Sequence, residues 1–187
     1  MKKRMLAMIF AVMMVCGATG CGGGAAQEET ENSVATEMLA ELQAFPAELD
    51  AEAAAAEGMY TIKGGEVIGG QEKWDAFMAE EADSVILCQF TSMDGSMLDY
   101  LMRQEDGSYL VVSDLTRDGY EYEGKEDYTT QAFTEVKVFE NFTVTEGGTP
   151  HTICVMTNDA ELDADTFLTY WNELSYEENG AFLLFVI

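Results

Sequence analysis

Residues 85–124 read VILCQFTSMDGSMLDYLMRQEDGSYLVVSDLTRDGYEYEG. Three Asp-Gly pairs, Asp94-Gly95, Asp106-Gly107 and Asp118-Gly119, recur twelve residues apart, each between runs rich in β-branched and aromatic residues. Such a pair signals a hairpin, because a two-residue type I′ turn needs positive φ at both central positions. The stretch therefore predicts an antiparallel meander with strands over 85–92, 97–104, 109–116 and 120–124. Two-residue turns put Leu98, Tyr100, Met102, Val111, Leu115 and Tyr122 on the face that receives helices. Cys88, Phe90, Leu101 and Val112 then share a mixed, partly exposed face with Asp99, Arg103 and Asp114. In that register Asp99 stands opposite Asp114, and Asp114 opposite Glu123. Three acids in one row, with Cβ atoms about 5 Å apart, make a candidate site for Ca2+ or Mg2+. Longer turns would shift the register, and a row left in water would simply fan out.

The flanking sequence supplies helices and further strands. Residues 59–62 and 66–68 read as short strands around the turn Lys63-Gly64-Gly65, and 71–82 as an amphipathic helix carrying Trp74, Phe77 and Met78 on one stripe. Beyond the meander, alternation over 133–145 predicts a long strand, 146–150 its turn and 151–157 the return strand. A helix over 166–174 sets Phe167, Tyr170, Trp171 and Leu174 on one stripe, and the apolar run 181–187 reads as an internal strand. The expected fold is α+β, an antiparallel meander sheet packed with one N-proximal and one C-proximal amphipathic helix over 58–187. Residues 22–36 hold one large aliphatic side chain, Val34, and read as a mobile tether. Helical spacing follows over 37–45 until Pro46, then a short helix over 51–57 with Asp50 as N-cap, leaning on the domain. Residues 21–57 are thus expected to be a partly helical tether.

Charge narrows the function. The 187 residues carry a formal charge of −26, which excludes nucleic acid as a ligand and leaves cations or basic proteins as the charge-complementary partners. Lys2, Lys3 and Arg4 precede an apolar run over 5–15, and Ala18-Thr19-Gly20-Cys21 follows. A basic head, a short apolar middle and small residues before a cleavage point make an export signal over 1–20; the apolar run is shorter than the roughly 20 residues of a spanning helix. The end of the signal resembles the lipobox of bacterial lipoproteins, with Ala18 where that family prefers leucine. The resemblance implies cleavage before Cys21, a diacylglycerol on its sulfur, and attachment to the outer face of the cytoplasmic membrane. Secretory cleavage without lipid is the alternative.

The order of Gly65-Glu66-Val67-Ile68, the helix with Trp74 and Phe77, and Asp114-Leu115-Thr116-Arg117-Asp118-Gly119 in the meander also resembles a group of small Gram-positive lipoproteins of unknown function, over roughly 55–187. That resemblance implies the anchor and an α+β domain, and it transfers no active site.

Little in the chain signals catalysis. His151 is the only histidine, whereas triads and zinc sites normally want one or more. No Walker loop, nucleophile elbow or phosphate cradle occurs. Asp159, Glu161, Asp163 and Asp165 alternate like a calcium loop, but Ala164 replaces its glycine and Tyr170 its closing glutamate. Cys88 and Cys154 are the thiols left beside Cys21; a bridge between them would contribute roughly 4 kcal/mol by chain entropy, and two buried free thiols are the simpler alternative. The sequence thus favours a membrane-anchored, non-enzymatic binding or interaction domain, with the lipid as its only membrane contact, no cofactor beyond that lipid or a bound cation, and an envelope protein or a cation as partner. Its alternatives are an envelope enzyme using carboxylates, which requires a deep cleft with two converging acids, and an accessory solute-binding protein.

Overall fold

The structure, a computed structural model, describes residues 23–90, 95–117, 127–145 and 147–187, with side chains from residue 33 onward. The described residues are broadly α+β. A hairpin of β1 (Tyr60–Lys63) and β2 (Glu66–Gly69) turns through Gly64 and Gly65, both at positive φ, with Lys63 opposite Glu66. This is the two-residue geometry that glycine makes cheap. Helix α3 (Gln71–Met78) then carries the chain across, so that β3 (Ser84–Phe90) lies parallel to β1. Strands β4 (Ser96–Arg103), β5 (Tyr109–Asp114) and β6 (Tyr128–Phe133) extend the sheet in the order β2-β1-β3-β4-β5-β6. A second sheet is formed by β7 (Glu135–Phe142), β8 (His151–Thr157) and β9 (Ala181–Val186), with β8 central and α4 (Ala164–Glu173) connecting β8 to β9.

The larger sheet is covered on both faces. Cys88, Leu98, Tyr100, Leu110 and Val112 pack against Met38 and Leu42 of the N-terminal helix α1 (Gly23–Gln43) and Ala54 of α2 (Ala51–Ala56). On the opposite face Val85, Leu87, Leu101 and Val111 meet Trp74 and Phe77 of α3 together with Cys154, Met156, Leu184 and Phe185 of the smaller sheet. The far side of the smaller sheet, Phe142, Ile153 and Val155, closes on Phe167 of α4. The layers therefore run helix, sheet, sheet, helix.

Two expectations are corrected here. The helix expected over 37–45 starts at Gly23, and its buried Met38 and Leu42 are core rather than tether; an amphipathic turn has stability only where its apolar face is covered, and the larger sheet covers it. The run at 181–187, expected to be internal, forms an edge strand that pairs with β8 alone, its apolar side chains being covered by packing on the larger sheet instead of by a second neighbour. The long strand expected over 133–145 forms as β7, and the chain before it adds β6, which ends at Phe133 and pairs with β5 in the larger sheet. The strand expected over 120–124 lies outside the described residues.

The end of α1 is fixed by Arg117. Its Nη2 donates to the carbonyls of Leu42 (3.2 Å) and Phe45 (2.9 Å), its Nε donates to Pro46 O (3.1 Å), and its Nη1 pairs with Asp114 Oδ2. The carbonyls at a helix C-terminus lack intrahelical partners, and a guanidinium satisfies them while complementing the helix dipole.

Gly70 shows how close the packing is before α3. It sits at φ 73°, and a Cβ there would lie 2.0 Å from Met59 O. Gly70→Ala is expected to destabilise by roughly 2 kcal/mol, from left-handed strain plus the backbone shift. An unchanged urea midpoint would show that this approach is not maintained in solution.

Candidate functional site: a polar cavity between the sheets

The turn chemistry of the meander decides what faces the gap between the sheets. At Asp106-Gly107 only Gly107 has positive φ (86°), Gln104 N bonds Ser108 O at 2.7 Å, and Asp106 Oδ1 accepts from Ser108 N. That is a three-residue loop with one left-handed residue, not a type I′ turn, and it slips the register by one. Asp99 therefore stands opposite Ser113, and Asp114 opposite Leu98. A slip of one residue turns every side chain to the other face, so Asp99 and Asp114 point to opposite sides of the sheet and the expected acid row is not formed. Asp114 is buried on the helix side, pairing with Arg117 and accepting from Thr116 N and Oγ1. Glu123 lies outside the described residues, and β6 brings Tyr128 opposite Asp114.

The row that does form is Asp99, Ser113 and Thr129, on β4, β5 and β6. It lines a cavity of about 930 Å3 between the larger sheet and the edge strand β9. Gln89, Gln131 and Asn158 add polar groups to its wall, and Met97, Leu115, Phe133, Phe182 and Leu183 apolar ones; Tyr176 and Glu177 line it from the loop before β9. Phe133 and Phe182 stack at 6.0 Å between centroids. A volume of this size suits a small organic ligand.

Asp99 is the chemical centre of the cavity. It is 3 % exposed, and its Oδ1 accepts from Ser113 Oγ at 2.6 Å while Oδ2 accepts from Gln89 Nε2 at 3.2 Å. Burial pushes its pKa up to about 6, and the two hydrogen bonds hold it from rising further. Gln89 Nε2 also donates to Leu184 O at 2.6 Å. Leu184 is the unpaired residue where the ladder shifts between Cys154 and Val155, so a bulge in β9 frees a carbonyl that Gln89 then occupies. No Lys, Arg or His lines the cavity among the described residues. The carboxyl is held by neutral donors alone, able to take an ion pair or to act as a proton donor near neutrality.

No protein-family model, curated protein or solved structure matches this chain.

The other sequence candidates separate. Cys88 faces α1 and Cys154 faces the gap between the sheets, with the larger sheet between them; both are free and buried, so of the two alternatives the possible disulfide is not formed and two unpaired thiols stand in its place. Burial pushes both thiols up, Cys88 to about 12, which makes them unreactive. Cys21 lies outside the described residues. Asp159 and Asp163 serve the backbone, accepting from Glu161 N and Thr166 N, and Asp163 is the N-cap of α4. No group of three metal-ligating side chains occurs among the described residues. Sequence reasoning named Asp99 and missed its companions. Ser113, Thr129 and Gln89 are ordinary strand residues, and the one usable signal was that Asp106 resists the positive φ a two-residue turn demands.

Proposed function

We propose that this chain is an extracytoplasmic binding domain, anchored through a diacylglyceryl Cys21 to the outer face of the cytoplasmic membrane, that receives a small ligand in the cavity between its sheets. The cavity with its buried Asp99 carries the ligand reading, and the signal over 1–20 supports the anchor. No helix of the described residues is long and apolar enough to cross a membrane. Acidity keeps the domain off an anionic bilayer, so the lipid is its only hold there.

The anchor is expected to appear as a lipidated Cys21 peptide in mass spectrometry of membrane fractions, and Cys21→Ser to release the protein into the medium. An unmodified Cys21 found only in the medium would end the anchoring part. For the ligand, a fragment screen by NMR is expected to give hits that move resonances of Ser113, Thr129 and Phe182 and are lost in Gln131→Trp, which fills the mouth from the cavity face of the exposed edge strand β6. Hits confined to other surfaces would reject the cavity as the site.

A second reading follows from the two carboxyls, Asp99 and Glu177, that line the same cavity. A buried acid with its pKa raised to about 6, sharing a cavity with a second carboxyl, is the composition of a hydrolase acting on envelope glycans. Release of reducing ends from isolated wall glycan, absent in Asp99→Asn, would replace binding by catalysis.

A further inference from the structure

We propose that the ligand of this cavity is a small organic cation, an amine on an apolar or aromatic body, whose ammonium pairs with Asp99. The inference rests on the cavity being a binding site and adds the chemical class. Its first ground is the mismatch at Asp99. A carboxyl that is 3 % exposed has, among the described residues, Ser113 and Gln89 as its hydrogen-bond partners, both neutral. Carboxylates removed from water are ordinarily paired, and the other buried acid shows how this chain does it, with Arg117 against Asp114. Among the described residues Asp99 has no such partner along the cavity wall, where the other titratable side chains are Tyr176 and Glu177. An ammonium entering the cavity supplies the missing charge.

The second ground is the rest of the wall. Phe133, Phe182, Met97 and Leu183 offer an apolar bed beside Asp99, which suits an organic cation better than a hydrated metal ion, since hard cations want several oxygen ligands. The third is the field: a formal charge of −26 concentrates cations at the surface and repels anions. Phosphates and carboxylates meet no basic group among the described residues of the cavity and are disfavoured by the same charges.

Three probes of one shape separate the classes: phenethylamine, phenethyl alcohol and 3-phenylpropionate, titrated into the protein by calorimetry with NMR mapping. The amine is expected to bind roughly tenfold or more tightly than the alcohol, and the carboxylate to be the weakest. Its affinity should rise about tenfold from pH 5 to 7.5, because the amine stays protonated throughout while Asp99 loses its proton. The preference should survive 0.5 M NaCl, as a desolvated pair is poorly screened. In Asp99→Asn both the preference and the pH slope should vanish, while in Glu177→Gln they should remain. An alcohol that binds in the cavity as well as the amine overturns the cation inference and leaves the binding reading standing. A preference lost in Glu177→Gln, or abolished by salt, overturns the role of Asp99. If none of the three moves a cavity resonance in wild type, the cation inference falls. If a fragment screen also finds no occupant, the binding reading falls with it.

Discussion

Asp99→Asn is expected to make the protein more stable at pH 7.5, by up to about 3 kcal/mol, while weakening its proposed ligand binding. The folded-state pKa of Asp99 is about 6 against an ordinary 3.8, and each unit is worth about 1.4 kcal/mol. Because the folded pKa is the raised one, the native state binds the proton more tightly. The contribution of Asp99 to stability is therefore fully present below about pH 4 and is lost as pH rises through 6. An asparagine oxygen can still accept from Ser113 or Gln89, and it has no charge to desolvate. The gain in the variant should be full above pH 6 and vanish toward pH 4, so the measurement is the difference between wild-type and variant urea stabilities across pH 4 to 8. A difference that does not change with pH would mean that Asp99 titrates in the native protein as it does in the unfolded chain, as a well-solvated carboxyl would. A residue retained at such a cost, where a neutral one would fold better, is what a binding function demands.

Arg117→Ala is expected to give the larger loss, roughly 3–5 kcal/mol. It strands Asp114, which is 1 % exposed, as a buried charge without its partner, and leaves the carbonyls of Leu42, Phe45 and Pro46 without their donor. Arg117→Lys should recover little, since an ammonium cannot reproduce the fork that reaches a carboxylate and three carbonyls at once. Asp114→Asn together with Arg117→Ala should lose less than the sum of the single changes, the signature of a coupled pair. Limited proteolysis should cut the alanine variant first within α1. Additive losses, with α1 still protected, would show that the contact does not hold the helix.

Period and turn residues made much of the fold legible. Alternation located the meander, Trp74 and Phe77 marked α3, Phe167 marked α4, and Asp50 was recognised as the N-cap that its bond from Ala53 N shows it to be. The pairing was not legible, because Asp-Gly serves both two- and three-residue loops and the choice turns on the φ of Asp106. One residue of slip moved Asp114 to the helix side and brought Ser113 beside Asp99, which changed a row of acids into a row of one acid and two hydroxyls. The role of α1 was hidden for a different reason: its polar N-terminal half reads as tether, and its buried C-terminal half acquires value only from a sheet that pairs far along the chain. The cavity was out of reach altogether, since it lies between sheets whose relation no local pattern encodes.

The packing of Phe185 governs when this protein can finish folding. Its ring meets Tyr60 at 5.4 Å and Trp74 at 5.1 Å, so the aromatic cluster beneath α3 joins the first strand to the last. Until β9 has emerged, the cover that Trp74, Phe77, Cys154 and Met156 give to Tyr60 and Leu87 lacks Leu184 and Phe185, and a nascent chain holds that part of the apolar surface open through most of its synthesis. Contacts between such distant segments slow folding. The core should therefore close only after β9 is in place, and a chain cut short before Ala181 should remain open to proteolysis from Tyr60 onward.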